Sequence, residues 1–130
     1  MPRPAPTRPT DVELQILTVL WGRGPSTVRE VHAALSGERD TGYSTTLKML
    51  QVMSEKGLVL RDDAARPQRY RAARSQQHTQ LQLLDHLTQR AFGGSARRLV
   101  LHLLSSQRVS PADLAEIQRL IAGAEGDGHA

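Results

Sequence analysis

Three times along this chain a serine or threonine is followed, three residues later, by an acid, and each time an apolar stripe of helical period begins there. The three are Thr10-Asp11-Val12-Glu13, Thr27-Val28-Arg29-Glu30 and Ser110-Pro111-Ala112-Asp113. In such a box the hydroxyl accepts a hydrogen bond from an orphan amide of the first helical turn, and an acid at the fourth position can reach back to the cap's own amide. Pro111 fits the first helical position because it has no N–H to satisfy. The chain is therefore committed to helices at both ends. Its only aromatics are Trp21, Tyr43, Tyr70 and Phe92, so the core must be built from Leu, Val, Ile, Met and Ala. That favours helices over a sandwich or barrel, and it argues against a stacking platform for single-stranded nucleic acid.

Between these signals the order of elements is legible. Val12, Leu14, Ile16, Leu17, Val19 and Leu20 carry a first helix from Thr10 to Trp21, broken by Gly22-Arg23-Gly24-Pro25. Ser26 or Thr27 caps a short second helix, with Val28, Val31, Ala34 and Leu35 on one side; Ser36-Gly37-Glu38 ends it, and Glu38 to Gly42 form a polar turn. A third helix is predicted from Tyr43 or Ser44 to Lys56, with Gly57 in the C′ position. Leu58-Val59-Leu60 and Gln68-Arg69-Tyr70-Arg71 read as two short strands around the turn-like Asp62 to Pro67. Beyond Ser75 only helical signals appear. Leu81, Leu84, Leu87 and Ala91 mark a fourth helix closed by Gly93-Gly94. A fifth runs from Ser95 to about Leu104, and a sixth from Ser110 carries Leu114, Ile117, Leu120 and Ile121.

The expected fold is mainly α with a small β-hairpin: a winged helix-turn-helix plus a C-terminal helical dimerisation domain. The expected domains are a disordered arm at 1–9, a winged helix-turn-helix DNA-binding domain at 10–74, a helical dimerisation domain at 75–122 and a flexible tail at 123–130.

Three helices and a hairpin suit a reader of double-stranded DNA. The major groove admits one helix, and residues at the N-terminal end of that helix reach base edges. On the third helix Thr46, Met49, Leu50 and Met53 fall on a core-like face, and Ser44, Thr45, Lys48 and Gln51 fall opposite. Hydroxyls, a lysine and a glutamine match the donors and acceptors of base edges and phosphates. The candidate DNA contacts are Ser44, Thr45, Thr46, Lys48 and Gln51, with Arg66 and Arg69 on the hairpin reaching phosphate or a narrow minor groove. The net charge of +4, with fifteen arginines against two lysines, is compatible with a polyanionic partner. The alternative for the same fold is a protein-interaction adaptor that does not bind DNA.

The stretch Gly42-Tyr43-Ser44-Thr45-Thr46-Leu47-Lys48-Met49-Leu50-Gln51-Val52-Met53-Ser54-Glu55-Lys56-Gly57-Leu58 resembles the penicillinase repressor family, which includes repressors of β-lactamase, methicillin resistance and copper transport. Pro9 to Leu17, Leu20-Trp21, Leu99-Val100-Leu101 and Ser110 to Leu114 are similar to its first and C-terminal helices, so the resemblance runs from about residue 9 to 122. It implies a homodimer on a pseudo-palindromic operator, with C-terminal helices interlocked between subunits. Leu81, Leu84, Leu87, Leu99, Leu101, Leu103, Leu104, Leu114 and Ile117 are the dimerisation residues so expected. It also implies release by proteolysis in the dimerisation region, triggered through a membrane metalloprotease sensor. The positions matching the family's Asn-Phe cleavage site are His102 and Leu103, a departure from that identity. The copper-responsive members carry a C-terminal cysteine pair; this chain has no cysteine, which excludes thiolate sensing, disulfides and cysteine nucleophiles alike.

Other chemistry is not signalled. The five histidines, His32, His78, His86, His102 and His129, form no HExxH pair. No phosphate-binding glycine loop or Ser-His-Asp pattern is present. No enzyme activity, metal or cofactor is expected. No apolar run reaches the length of a membrane span, and Met1 to Pro9 has no apolar segment of a signal peptide, so a cytoplasmic protein is expected.

Overall fold

The computed structural model describes residues 8–35, 42–106 and 108–127, the last three of these by backbone alone. Most of the arm predicted at 1–9, most of the turn predicted after the second helix, and the end of the tail lie outside the described residues.

The capping boxes do what their chemistry dictates. Helix α1 (Asp11–Arg23) begins where the Glu13 amide donates to Thr10 Oγ1 at 3.2 Å and the Thr10 amide donates to Glu13 Oε1 at 2.9 Å. Helix α2 (Val28–Leu35) repeats the exchange between Thr27 and Glu30, at 3.1 and 2.8 Å. Helix α3 (Tyr43–Glu55) ends in a Schellman turn: the Leu58 amide reaches the Met53 carbonyl at 2.9 Å and the Gly57 amide reaches that of Ser54 at 3.1 Å. That turn requires a left-handed residue, and Gly57 supplies it with φ of 80°.

Strands β2 (Val59–Asp62) and β3 (Arg69–Ala72) form the predicted antiparallel hairpin, with Val59 opposite Ala72 and Asp62 opposite Arg69. The sheet has a third strand that the sequence does not signal. Ser26 and Thr27, read there only as a helix cap, also form β1 (Ser26–Thr27), which pairs with Tyr70 and Arg69 of β3; the sheet order is β1-β3-β2. This pins the wing to the start of α2.

The core of this part is aliphatic, as the composition requires. Ile16, Leu17 and Leu20 from α1, Val28, Val31 and Leu35 from α2, Leu50 and Met53 from α3, and Val59 from β2 are buried together around one aromatic, Tyr70 of β3. Each fully buried side chain of this size contributes about 1.5–3 kcal/mol. Two polar links tie α1 to later segments of the chain over this core. Trp21 Nε1 donates to the Arg74 carbonyl at 3.0 Å. Lys56 Nζ lies 2.8 Å from both Glu13 carboxylate oxygens, joining the end of α3 to the start of α1.

The chain divides into two units, Met1–Leu83 and Leu84–Ala130. The dividing point falls inside α4 (Gln76–Ala91), two turns beyond its Ser75 cap. Helices α5 (Ala96–Ser105) and α6 (Pro111–Asp127) follow, capped by Ser95 and Ser110. Helix α6 runs through Gly123 to Asp127, so residues 123–127, predicted as flexible tail, are helical. Among the described residues of α4 to α6, Leu99 is the one buried large hydrophobic, at 8% exposure. Ten others, from Leu81 to Ile121, retain between 38% and 64% of their surface.

Candidate nucleic-acid interface

Helix α3 is held from behind. Thr46, Leu50 and Met53 are fully buried against the core. At about 100° per residue, the ridge opposite carries Ser44, Lys48 and Gln51, all exposed. Thr45 lies on its flank, also exposed. Glu55 ends the same ridge with an acid, which a phosphate backbone repels. The usable surface is thus the first turns of α3, and it is small, polar and cationic only at Lys48. Lys48 has no ion pair among the described residues.

Thr46 does not belong to this surface. It was expected among the DNA contacts, but its relative exposure is 0%. Its hydroxyl lies 3.2 Å from His32 Nδ1 and makes a long 3.5 Å contact with the Gly42 carbonyl. A fully buried hydroxyl turned toward His32 and the Gly42 carbonyl cannot reach a base, so Thr46 is part of the α2–α3 seam.

A groove flanks α3 on each side. One, of about 530 Å³, lies toward α1 and is lined by Thr10, Glu13, Ser44, Thr45, Lys48, Met49 and Val52. Its acid, Glu13, is nearly buried. Burial alone raises a carboxyl, but the Lys56 hydrogen bonds and charge, with two bonds from Thr10, outweigh it and hold Glu13 below its ordinary value. The other groove, of about 330 Å³, lies toward α2 and the wing, and is lined by Thr27, Val28, Arg29, Tyr43, Leu47, Pro67 and Gln68. Here the Arg29 guanidinium lies 5.7 Å over the Tyr43 ring, and His32 meets the same ring edge-on, 5.9 Å between centroids.

The wing presents Arg66 and Arg69, both exposed and outside any ion pair among the described residues. Arg61 differs: its Nε lies 2.5 Å from Asp63 Oδ1. Arg69 and Arg71 alternate with the buried Tyr70, so the pleat itself turns the arginines outward. Sequence reasoning brought Ser44, Thr45, Lys48 and Gln51 to one helix and two arginines to the wing. It missed Arg29 and Tyr43. Tyr43 carried a usable signal, an aromatic at the first position of α3 in a chain with four aromatics. Arg29 carried none, because its neighbour is 14 residues away.

Along α4 to α6, Leu81, Leu84, Leu87, Leu101, Leu103, Leu104 and Leu114 are exposed and Ile117 is half-buried. Leu99 differs from the other expected dimer residues in being buried within the single chain. His102 and Leu103 lie within α5, and the His102 ring packs edge-on against Phe92 at 5.4 Å. No group of three or more His, Asp or Glu able to hold a metal occurs among the described residues. Nor is any described helix long and apolar enough to cross a membrane.

The family described as penicillinase repressor matches residues 9–123. The chain is 34% identical over 125 residues to proteins named transcriptional regulator BlaI from two strains of Mycobacterium tuberculosis, CDC 1551 / Oshkosh and ATCC 25618 / H37Rv. Each match covers 95% of this chain and 88% of the relative. Among solved structures, a MarR family protein from Bacillus stearothermophilus aligns at 19% identity with a TM-score of 0.48, covering 93% of this chain and 76% of that one.

Proposed function

The chain belongs to the penicillinase repressor family, a family of transcriptional repressors and not of enzymes, and from that premise we propose that it acts as a homodimer on a pseudo-palindromic DNA operator, each protomer laying α3 in a major groove. The observation that carries this reading is the exposed ridge of Ser44, Lys48 and Gln51 on a helix whose opposite face is wholly buried. A helix of about 10–12 Å diameter fits a major groove about 12 Å wide, and these side chains are the right length to reach base edges. Thr45 on the flank, with Arg66 and Arg69 on the wing, adds contacts to phosphate or groove walls.

The second subunit follows from the C-terminal helices. Leu81, Leu84, Leu87, Leu101, Leu103, Leu104 and Leu114 leave much of their surface in water, and covering half of one such side chain is worth about 1 kcal/mol. A self-complementary interface covers them in pairs, and two-fold symmetry then matches the symmetry of the operator, with half-sites about 34 Å apart or a multiple of that.

Release is proposed to follow cutting of the His102–Leu103 peptide by a membrane metalloprotease sensor. Both side chains are exposed on α5, and a break there severs the helix that carries Val100, Leu101, Leu103 and Leu104. Mass spectrometry of the chain from induced cells is expected to find a cut after His102; an intact chain under full derepression contradicts it.

A mobility-shift assay with the DNA upstream of the chain's own gene tests the main reading. A shifted band at low salt, stoichiometric for a dimer, is expected. No shift at any salt favours a protein-interaction adaptor.

A further inference from the structure

We infer that the groove between the start of α2, the start of α3 and the wing seats the sugar–phosphate backbone of one operator strand, with Arg29 as its phosphate ligand and Tyr43 as the platform that positions Arg29. The inference deepens the reading above and rests on α3 lying in a major groove. In that pose the two backbones of the duplex run along the two flanks of the helix, and the structure has a groove on each flank.

The two grooves are chemically unlike. The α1 flank contains the Glu13 carboxylate. The wing flank contains no acid among its lining residues, and its one cation is Arg29. Two other arginines of this unit are occupied: Arg23 Nη2 lies 3.1 Å from Glu30 Oε2, and Arg61 is held by Asp63. Glu30, the acid next to Arg29 in sequence, is taken by Thr27 and Arg23.

Arg29 instead lies over Tyr43, 5.7 Å from the ring centroid. A cation–π contact of this kind takes none of the guanidinium's five N–H donors, and the Arg29 side chain makes no hydrogen bond or ion pair among the described residues. Tyr43 is itself held. Its ring meets His32 at 79°, and His32 bonds to the buried Thr46 hydroxyl. The chain Thr46–His32–Tyr43–Arg29 therefore fixes an arginine beside the reading ridge before DNA arrives. A planar donor set with this freedom fits a phosphate, whose oxygens it can meet in pairs. Tyr43, which lines this groove, directly precedes Ser44 of the exposed ridge.

A phosphate contact is independent of sequence, so the test needs no operator. Binding of a fluorescein-labelled 30-base-pair duplex of mixed sequence is measured by anisotropy between 50 and 200 mM salt, for the full chain and for R29A, R29K, Y43A and Y43F. Loss of one phosphate contact lowers the slope of log K against log salt by about 0.9 for each protomer bound, and R29A is expected to show this with about tenfold weaker binding at low salt. R29K keeps the slope. Y43A weakens binding while keeping the slope, and Y43F behaves as the parent, since the ring and not its hydroxyl carries Arg29. Thermal melting checks each fold; R29Q replaces R29A if the latter melts early. An R29A slope equal to that of the parent overturns the inference and leaves the repressor reading standing. Failure of the parent chain to bind any duplex overturns both.

Discussion

Lys56, the last residue before the turn that ends α3, places its ammonium 2.8 Å from both carboxylate oxygens of Glu13 in the first turn of α1. Glu13 keeps 8% of its side-chain surface and Lys56 keeps 28%. One acid thus closes the helix cap at Thr10 and fastens the end of α3 to the start of α1.

Breaking this pair is expected to be unequal in its two directions. Lys56→Met strands a charged, buried Glu13 and should cost about 2 kcal/mol, less than the 3–5 of a fully buried pair because Lys56 is part-exposed. Glu13→Gln still caps Thr10 and leaves a lysine that can turn to water, so about 1 kcal/mol is expected. Urea denaturation of the two variants checks the order.

The same carboxylate sets an acid limit. Its folded pKa lies below the ordinary 4.5, so its contribution is fully present above the unfolded value and is lost as pH falls through the lowered folded value. Glu30 is shifted in the same direction, chiefly by its bond from the Thr27 amide. The parent should therefore lose stability below about pH 4.5, and Glu13→Gln should flatten but not abolish that loss. Urea midpoints at pH 7, 4 and 3 decide it; parallel curves for both proteins remove Glu13 from the account.

On the reading ridge, Lys48→Ala should weaken operator binding by about 1–3 kcal/mol if it contacts a base, and change the melting temperature little. Unchanged operator affinity means that α3 does not read as argued.

Thr46→Val should do the reverse. It removes the hydroxyl that meets His32 and is expected to cost about 1 kcal/mol of stability. Base preference across a panel of operator variants should stay the same; a shift in preference at one position would return Thr46 to the reading surface.

For the C-terminal helices, Leu84→Glu together with Leu101→Glu should leave the N-terminal core intact and yield a monomer by sedimentation equilibrium. Charged groups cannot be covered by an apolar partner surface without desolvation. A dimer that survives both substitutions places the interface elsewhere.

Much of this molecule is legible because its instructions are local. Thr10 and Glu13, Thr27 and Glu30, and Ser110 and Asp113 start helices through bonds spanning three residues, and Gly57 stops one through a turn it alone can adopt. Helical period put Leu50 and Met53 inward and Ser44, Lys48 and Gln51 outward. The strand at Ser26–Thr27 was not legible, because two residues make a strand only by pairing with Tyr70 and Arg69, more than 40 residues away. The glycines of α6 read as a tail, yet the helix continues past Gly123, so local propensity did not decide its end.

The sequence by itself therefore determined where helices begin, which face of α3 is core, and the family to which the chain belongs; each rests on contacts within a turn or two, or on residue identity in order. Only the tertiary structure decided that Lys56 answers Glu13, that His32 meets Thr46 in the interior, and that Arg29 lies over Tyr43 beside the exposed ridge of α3. Those pairs join side chains from different helices, and their distances exist only once a shared core around Ile16, Leu50 and Tyr70 has fixed how the helices cross.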